Sequence, residues 1–445
     1  MGSKRSLLLL LCLVVVGCEG HEGPGANASF SIDTLPGGAV RVSNAEHGEW
    51  SPDTEWSLVE DLRIGSADGS GPEAFGSVHA LEVDAYGRIY VLDRLAHQVQ
   101  VFGPNGEHLR TLGSEGAGPG EMSQPSGLAW MPGWHLWVED RGNSRFAVFD
   151  TTGALVDTHP RDFPWMEFRW RGGFDREGHR YGLGSELRGR RSHDVLLRLD
   201  GRGAQVGTIE LPRFEEARFE VTSNDAPLAA ARVPFSPHLH WHLTPDGALW
   251  FGTTDEYRLT QRSLDGDTIR IVERDAPPTP ITAAEREEAL AEDYLAPFRE
   301  AGVVDPAMVP ENHPYWAGFT VSSDGFLWVI PRMPDGGAAA FDVFDPEGVY
   351  LGRIPVDEPG LQSGPAPVVR GDRLYAVVRD DLGVPYVVRM RVLSSTPGPV
   401  ASQKPDSPGG YDLHLGTWTP NVALGEDSPY VAPPPRTRLA KERGD

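Results

Sequence analysis

Val78-His-Ala-Leu-Glu-Val83, then Asp84-Ala-Tyr-Gly87, then Ile89-Tyr-Val-Leu92 make up the stretch on which the reading of this chain turns. The first run alternates as a half-buried strand does, the second is a turn, and the third returns as an apolar strand. A loop from Asp93 to Gln98 leads into Val99-Gln-Val-Phe102. Pro104-Asn105-Gly106 follows as a hairpin turn, in which Asn-Gly supplies the positive φ that a tight connection requires. Leu109-Arg-Thr-Leu112 completes four strands. Working outward, the returning strand recurs five more times with one aromatic at the same place. The copies are Gly87-Arg-Ile-Tyr90-Val, His135-Leu136-Trp137-Val, Gly178-His-Arg-Tyr181, Gly247-Ala-Leu-Trp250-Phe, Gly325-Phe-Leu-Trp328-Val and Asp372-Arg-Leu-Tyr375-Ala.

By subtraction the aromatics lie 47, 44, 69, 78 and 47 residues apart. A period in the mid-forties, with turn residues before a short apolar strand, is the mark of a four-stranded blade. Six copies imply an all-β, six-bladed β-propeller. A large ring at one place per blade is expected to fill the wedge between neighbouring sheets.

The N-terminus points to export. Lys4 and Arg5 precede an apolar run from Leu7 to Val16, which is signal-peptide length and too short to span a bilayer. The order Val15-Val16-Gly17-Cys18 resembles the bacterial lipobox, which implies residues 1–17 as signal peptide and Cys18 as the lipidated N-terminus. Cys12 falls in the removed segment, so no disulfide is expected. A domain this large needs none. Residues 18–55, rich in Gly, Ser, Asn and Pro, read as a lipid-anchored flexible tether. The propeller is expected over 56–394. Residues 395–445, with Pro433-Pro434-Pro435, read as a disordered C-terminal tail.

Sixty-four acidic against forty basic residues give a net charge of −24. That argues against nucleic acid, whose phosphates demand a basic footprint. It also argues against electrostatic docking to anionic lipid, so membrane contact is expected through the anchor only.

The run Val138 to Asp150, with Asp140, Asn143 and Arg145 before Val148-Phe149-Asp150, resembles the NHL repeat. Gly116-Ala-Gly-Pro119-Gly-Glu-Met122 looks like that family's interblade loop, with a partner at Gly69-Ser-Gly-Pro72-Glu-Ala-Phe75. The resemblance covers blades one and two. It implies that Asp140, Asn143 and Arg145 brace one blade against the next and do no chemistry. Trp56 to Gly65 resembles an outer strand, and the last blade lacks one after Val392. The N-terminal segment is therefore expected to close the ring, removing an exposed sheet edge.

The turns joining first to second and third to fourth strands stay short. The long segments, Leu183–His193, Pro212–Pro237, Asp275–Tyr315 and Pro331–Ala338, all open on the other face, which makes that face the candidate site. One segment carries a helical insertion between blades four and five, at about 281–300. Thr282-Ala-Ala-Glu285 is a capping-box pattern, and Leu290, Tyr294 and Phe298 recur at a spacing that places them on one helix face.

His238-Leu-His240-Trp-His242 is the clearest constellation. On a strand all three imidazoles face one way, as a zinc site would use them, although the expectation is that packing and hydrogen bonds to neighbouring loops hold them. Six-bladed relatives of the gluconolactonase and arylesterase type hold calcium in the channel. Asp93, Asp140 and Asp255 fall near such positions without a matching motif. No nucleophile elbow and no phosphate cradle is present in the pattern. The expectation is an exported bacterial lipoprotein, periplasmic or surface-facing, whose propeller is a binding or scaffold module for a protein or small molecule. No cofactor is expected; a metal held by the three histidines is the alternative. The alternative is a metal-dependent hydrolase or lactonase-like enzyme with its site in the channel.

Overall fold

The computed structural model describes residues 29–161, 170, 172–188, 191–214, 216–223, 226–244, 247–333, 339–356, 361 and 364–394. The signal segment, Cys18 and the tail 395–445 lie outside them. Six radial sheets form the ring. Blade one runs Val78–Val83, Ile89–Asp93, Gln98–Phe102 and His108–Leu112, each strand antiparallel to the next. Blade six is completed by Trp56–Ile64, which pairs antiparallel with Pro385–Ser394 from Ile64↔Val387 to Trp56↔Ser394. The ring is closed as the sequence implies.

One turn chemistry builds both kinds of short connection. Asp84, Asp150, Asp175, Asp200 and Asp380 each accept, on Oδ1, the backbone N–H groups two and four residues on, at 2.8–3.0 Å. The residue three further on is a glycine at φ between +76° and +89° in all five, where a side chain would be strained. Tyr90, Tyr181 and Tyr386 return their hydroxyls to the Oδ2 of Asp84, Asp175 and Asp380 at 3.2, 2.9 and 3.2 Å. In blades four and five the turn residue is Thr244 or Ser322, and the aromatic is Trp250 or Trp328.

Tyr90, Trp137, Tyr181, Trp250, Trp328 and Tyr375 are all buried, and each belongs to a different apolar cluster between adjacent blades. Burying one such ring stabilises the fold by about 2–3 kcal/mol, so the wedges carry the ring's cohesion.

Three expectations need correction. Among the described residues blade three has three strands, Arg180–Arg188, Arg191–Leu199 and Gln205–Glu210, with the innermost place held by a bridge at Phe174↔Arg180. The Trp170 indole donates to the Tyr181 carbonyl at 2.9 Å, taking an acceptor that a longer inner strand would use. Residues 29–55, read as tether, are ordered. Phe30–Thr34 and Val40–Asn44 form a hairpin whose second strand pairs in parallel with Thr268–Arg274, widening blade four to six strands. Asn44 then donates to the Glu273 and Gly348 carbonyls and accepts from the Tyr350 amide, at 2.7–3.0 Å, tying blade four to blade five. The third correction concerns the helix. Its capping box at Thr282 and Glu285 is present, but the helix Ala283–Ala291 stops at Glu292, whose backbone is extended, and a second one, Ala296–Glu300, starts with Pro297. The break swings Tyr294 out to solvent and puts Leu295 inside beside Phe298, with Leu290 packed against them.

Candidate functional site

The two longest insertions meet. Phe219 and Ala231 of the hairpin Arg218–Ser223/Ala226–Arg232 share an apolar cluster with Ile281, Leu295, Phe298 and Val309 of the helical segment. A few backbone bonds anchor that segment at its ends. Ile281 N–H donates to Glu311 O, His313 N–H to Thr279 O and Tyr315 N–H to Thr254 O, at 2.8–2.9 Å. Arg286 adds bonds to the carbonyls of Val309 and Pro310, at 2.8 and 2.9 Å. The insertion is thus a small packed body standing on blades four and five, on the face predicted from the strand count.

Under its anchored end lies a cleft of about 150 Å³. Blade four contributes Tyr257 and Arg274, the insertion Thr279 and His313, and blade five Arg332 and Arg353, with Glu46 on the rim. Behind the lining residues Tyr257, Arg274 and Arg353 stands Asp342, which is fully buried. Its carboxylate accepts from Tyr257 Oη at 2.6 Å, Tyr350 Oη at 3.1 Å, Arg274 Nη1 at 3.2 Å, and Arg353 Nε and Nη2 at 2.7 and 3.0 Å. Asp342 and Arg353 are cross-strand neighbours in the blade-five ladder, the register in which opposite charges meet most closely.

The electrostatics follow from burial. Burial pushes the Tyr257 phenol well above its ordinary value, and the Asp342 charge adds to that. Arg353 is held above the usual arginine value because its bonds to Asp342 outweigh its desolvation. At Arg332 burial wins and the pKa falls, with Glu285 offsetting part of the shift. Arg274 also lies over the Tyr350 ring at 4.2 Å. The His313 ring donates from Nε2 to Glu285 Oε1, 3.1 Å away.

The residues singled out in the sequence lie elsewhere. His238, His240 and His242 share one face of the inner strand of blade four, as the two-residue period implies. The first two rings are 4.4 Å apart, His240 is 5.3 Å from the Trp316 ring, and His242 is 6.4 Å from Phe319. Burial lowers the His242 pKa to about 4. Among the described residues, one group of three metal-type ligands brings its donor atoms within 4.8 Å of one another: Asp175, Glu177 and His179, not the histidine triplet. Arg198 Nη2 already stands among them, 3.3 Å from Asp175, 2.9 Å from Glu177 and 2.9 Å from His179 Nδ1, so a cation of the chain itself fills the place.

Asp93 and Asp140 are engaged with backbone. Asp93 accepts from the amides of Gly76, Ser77 and Leu95 at 2.6–3.0 Å. Asp140 accepts from the Ser123 amide, Asn143 and Arg145, while Asn143 and Arg145 reach the carbonyls of Gly116, Gly118 and Glu121. These three residues hold the link from blade one to blade two, a bracing role. Asp255 is exposed. Asp342 and the arginines around it went unread. The available signal was a charge inside Ala339-Ala-Phe341-Asp-Val-Phe344, since a carboxylate on a strand that apolar demands partners.

Residues 73–158 match a family model described as a 6-bladed beta-propeller. A search of curated proteins finds no match. Among solved structures the chain is similar to a Bacteroides fragilis protein described as exported, at 11% identity and a TM-score of 0.49, covering 79% of this chain and 99% of that one. It is also similar to virginiamycin B lyase from Staphylococcus aureus, at 10% identity and a TM-score of 0.43, covering 76% and 100%. A gluconolactonase from Xanthomonas campestris aligns at 15% identity and a TM-score of 0.39, covering 77% and 99%. At such identities no activity carries across, because propellers host unrelated functions. Among the described residues no helix is long and apolar enough to cross a membrane. The chain is a six-bladed β-propeller with a helical body standing on blades four and five.

Proposed function

We propose that this chain is an exported lipoprotein, anchored through Cys18, whose propeller is a binding module taking its ligand in the cleft between blades four and five. One observation carries the binding reading: the cleft opens where a packed insertion meets the ring, and polar side chains from both blades and the insertion converge on it. Sites of this kind, concave with a few convergent polar groups, are where ligands are held. At about 150 Å³ the cleft is below the roughly 300–1,000 Å³ of pockets for drug-sized ligands. It suits a small molecule or the end of a larger one. The anchor is supported by the basic residues, apolar run and Gly17-Cys18 order.

The test is a thermal-shift screen of small polar molecules against the full chain and against Thr279→Trp, which fills the cleft. Compounds that stabilise the first and not the second support the reading. Stabilisation indifferent to Thr279→Trp would move the site elsewhere. For the anchor, radiolabelled palmitate should enter the wild-type protein and not Cys18→Ser.

A further inference from the structure

We infer that the cleft receives a small carboxylate, a reading that rests on the proposed binding role and gives it a ligand class. Three guanidinium groups, Arg274, Arg332 and Arg353, line one small space. The acidic groups nearby are largely committed. Asp342 is shared by Arg274, Arg353 and two tyrosine hydroxyls. Glu285 accepts from the Thr282 amide and hydroxyl and meets His313. Glu46 stands exposed on the rim and offers its backbone carbonyl to Arg274.

One buried donor on a residue of the lining has no hydrogen bond among the described residues: Arg274 Nε, on a side chain that is 6% exposed. A buried donor without a partner is costly, by about 1–3 kcal/mol, and a ligand oxygen would relieve it. The desolvation that lowers the Arg332 pKa points the same way, because an incoming negative charge restores what burial removes. Planar arginine forks match carboxylate oxygens two by two. A carboxylate also suits the chain better than a doubly charged phosphate, which would meet both the rim glutamate and the field of a protein carrying −24.

The experiment is calorimetry with the full chain, using acetate, pyruvate, succinate and benzoate as probes, with succinamide and inorganic phosphate alongside. At least one acid should bind at millimolar concentration or better, and succinamide should not. Arg332→Gln should weaken that acid by about tenfold or more, the loss of one charge-assisted hydrogen bond. Arg198→Gln, far from the cleft, should leave it unchanged. The inference is overturned if no acid binds, if acid and diamide bind alike, if phosphate binds more tightly, or if Arg332→Gln changes nothing. A neutral compound lost with Thr279→Trp but kept with Arg332→Gln would sink the carboxylate and leave the binding cleft standing. An acid kept with Thr279→Trp would sink the cleft itself.

Discussion

Blade two and the seam between blades four and five both contain a fully buried aspartate paired with arginine, and they put it to different uses. Around Asp140 the link from the preceding blade is short, residues 113–124. Arg145 and Asn143 therefore close onto its carbonyls. Around Asp342 the link is residues 275–315, and its backbone is carried away into a body with a core of its own. The arginines keep their aspartate and face a cleft. The difference lies in the length of the connection, not in the charge pair: a short link lays its carbonyls on the arginine, and a long one leaves a cleft beside it.

Asp342→Ala should have the largest effect. It strands two arginines and two tyrosine hydroxyls, so a loss of about 5 kcal/mol is expected in chemical denaturation, at the top of the range for breaking a buried pair. Asp140→Ala should cost about 4 kcal/mol on the same grounds. Calorimetry separates the two regions: Asp140→Asn, a milder change, should leave acid binding untouched, while Asp342→Asn should weaken it. Equal effects on binding would erase the distinction.

The inner strands supply a pH test that bears on the core of the ring, apart from either aspartate. Burial raises Glu82 to about 7, with Arg370 opposing, and lowers His242 to about 4. Glu82 has its higher pKa in the folded state, so its contribution is complete below about 4.5 and lost as pH rises through 7. His242 has the lower folded pKa, so its contribution is present above about 6.5 and lost as pH falls towards 4. Each is worth on the order of 3 kcal/mol. Glu82→Gln should stabilise the protein at pH 8 and have little effect at pH 4. His242→Phe should flatten the decline between pH 6.5 and 4. Melting curves across pH 4–8 check both, and a His242 variant with an unchanged slope would mean that this ring is hydrated.

The smallest effect is expected at the helix start. Thr282→Ala removes the cap and should cost about 1 kcal/mol, confined to the insertion. Hydrogen exchange should quicken at Ala283–Ala291 while the blade-two link keeps its protection. Faster exchange in blade two would show that the two regions are coupled.

The ring was legible because its signals are local and repeated. Asp84 and Gly87 make one kind of turn, Tyr90 fills one wedge, and both recur with a period. The closing strand could be read because Pro385–Ser394 lacked a neighbour. The hairpin Phe30–Asn44 was obscured by its composition, although Pro36-Gly37-Gly38 sits between two alternating runs, Phe30-Ser-Ile32-Asp and Val40-Arg-Val42-Ser. Pro297 inside the four-residue pattern marked the helix break. The face of the site followed from loop lengths, but the charge cluster behind it did not. Asp342, Arg274 and Arg353 come from three strands; the blade-five ladder brings two of them together and the packing of blade four against blade five adds Arg274. Spacing within one strand, which drew attention to His238, His240 and His242, carries no information about such meetings.

The closing strand also sets an order in time. Trp56–Ile64 leaves the ribosome early, and its partner Val387 follows Ile64 by 323 residues. The Phe30–Asn44 hairpin likewise waits for Thr268–Arg274. Contacts so distant along the chain form slowly, and unpaired strands invite wrong partners meanwhile. A nascent chain therefore carries unpaired strands at its front, the hairpin until Thr268–Arg274 has emerged and the closing strand until nearly the whole propeller has. Any product cut short before Pro385 leaves the ring open, a natural mark for chaperones and proteases.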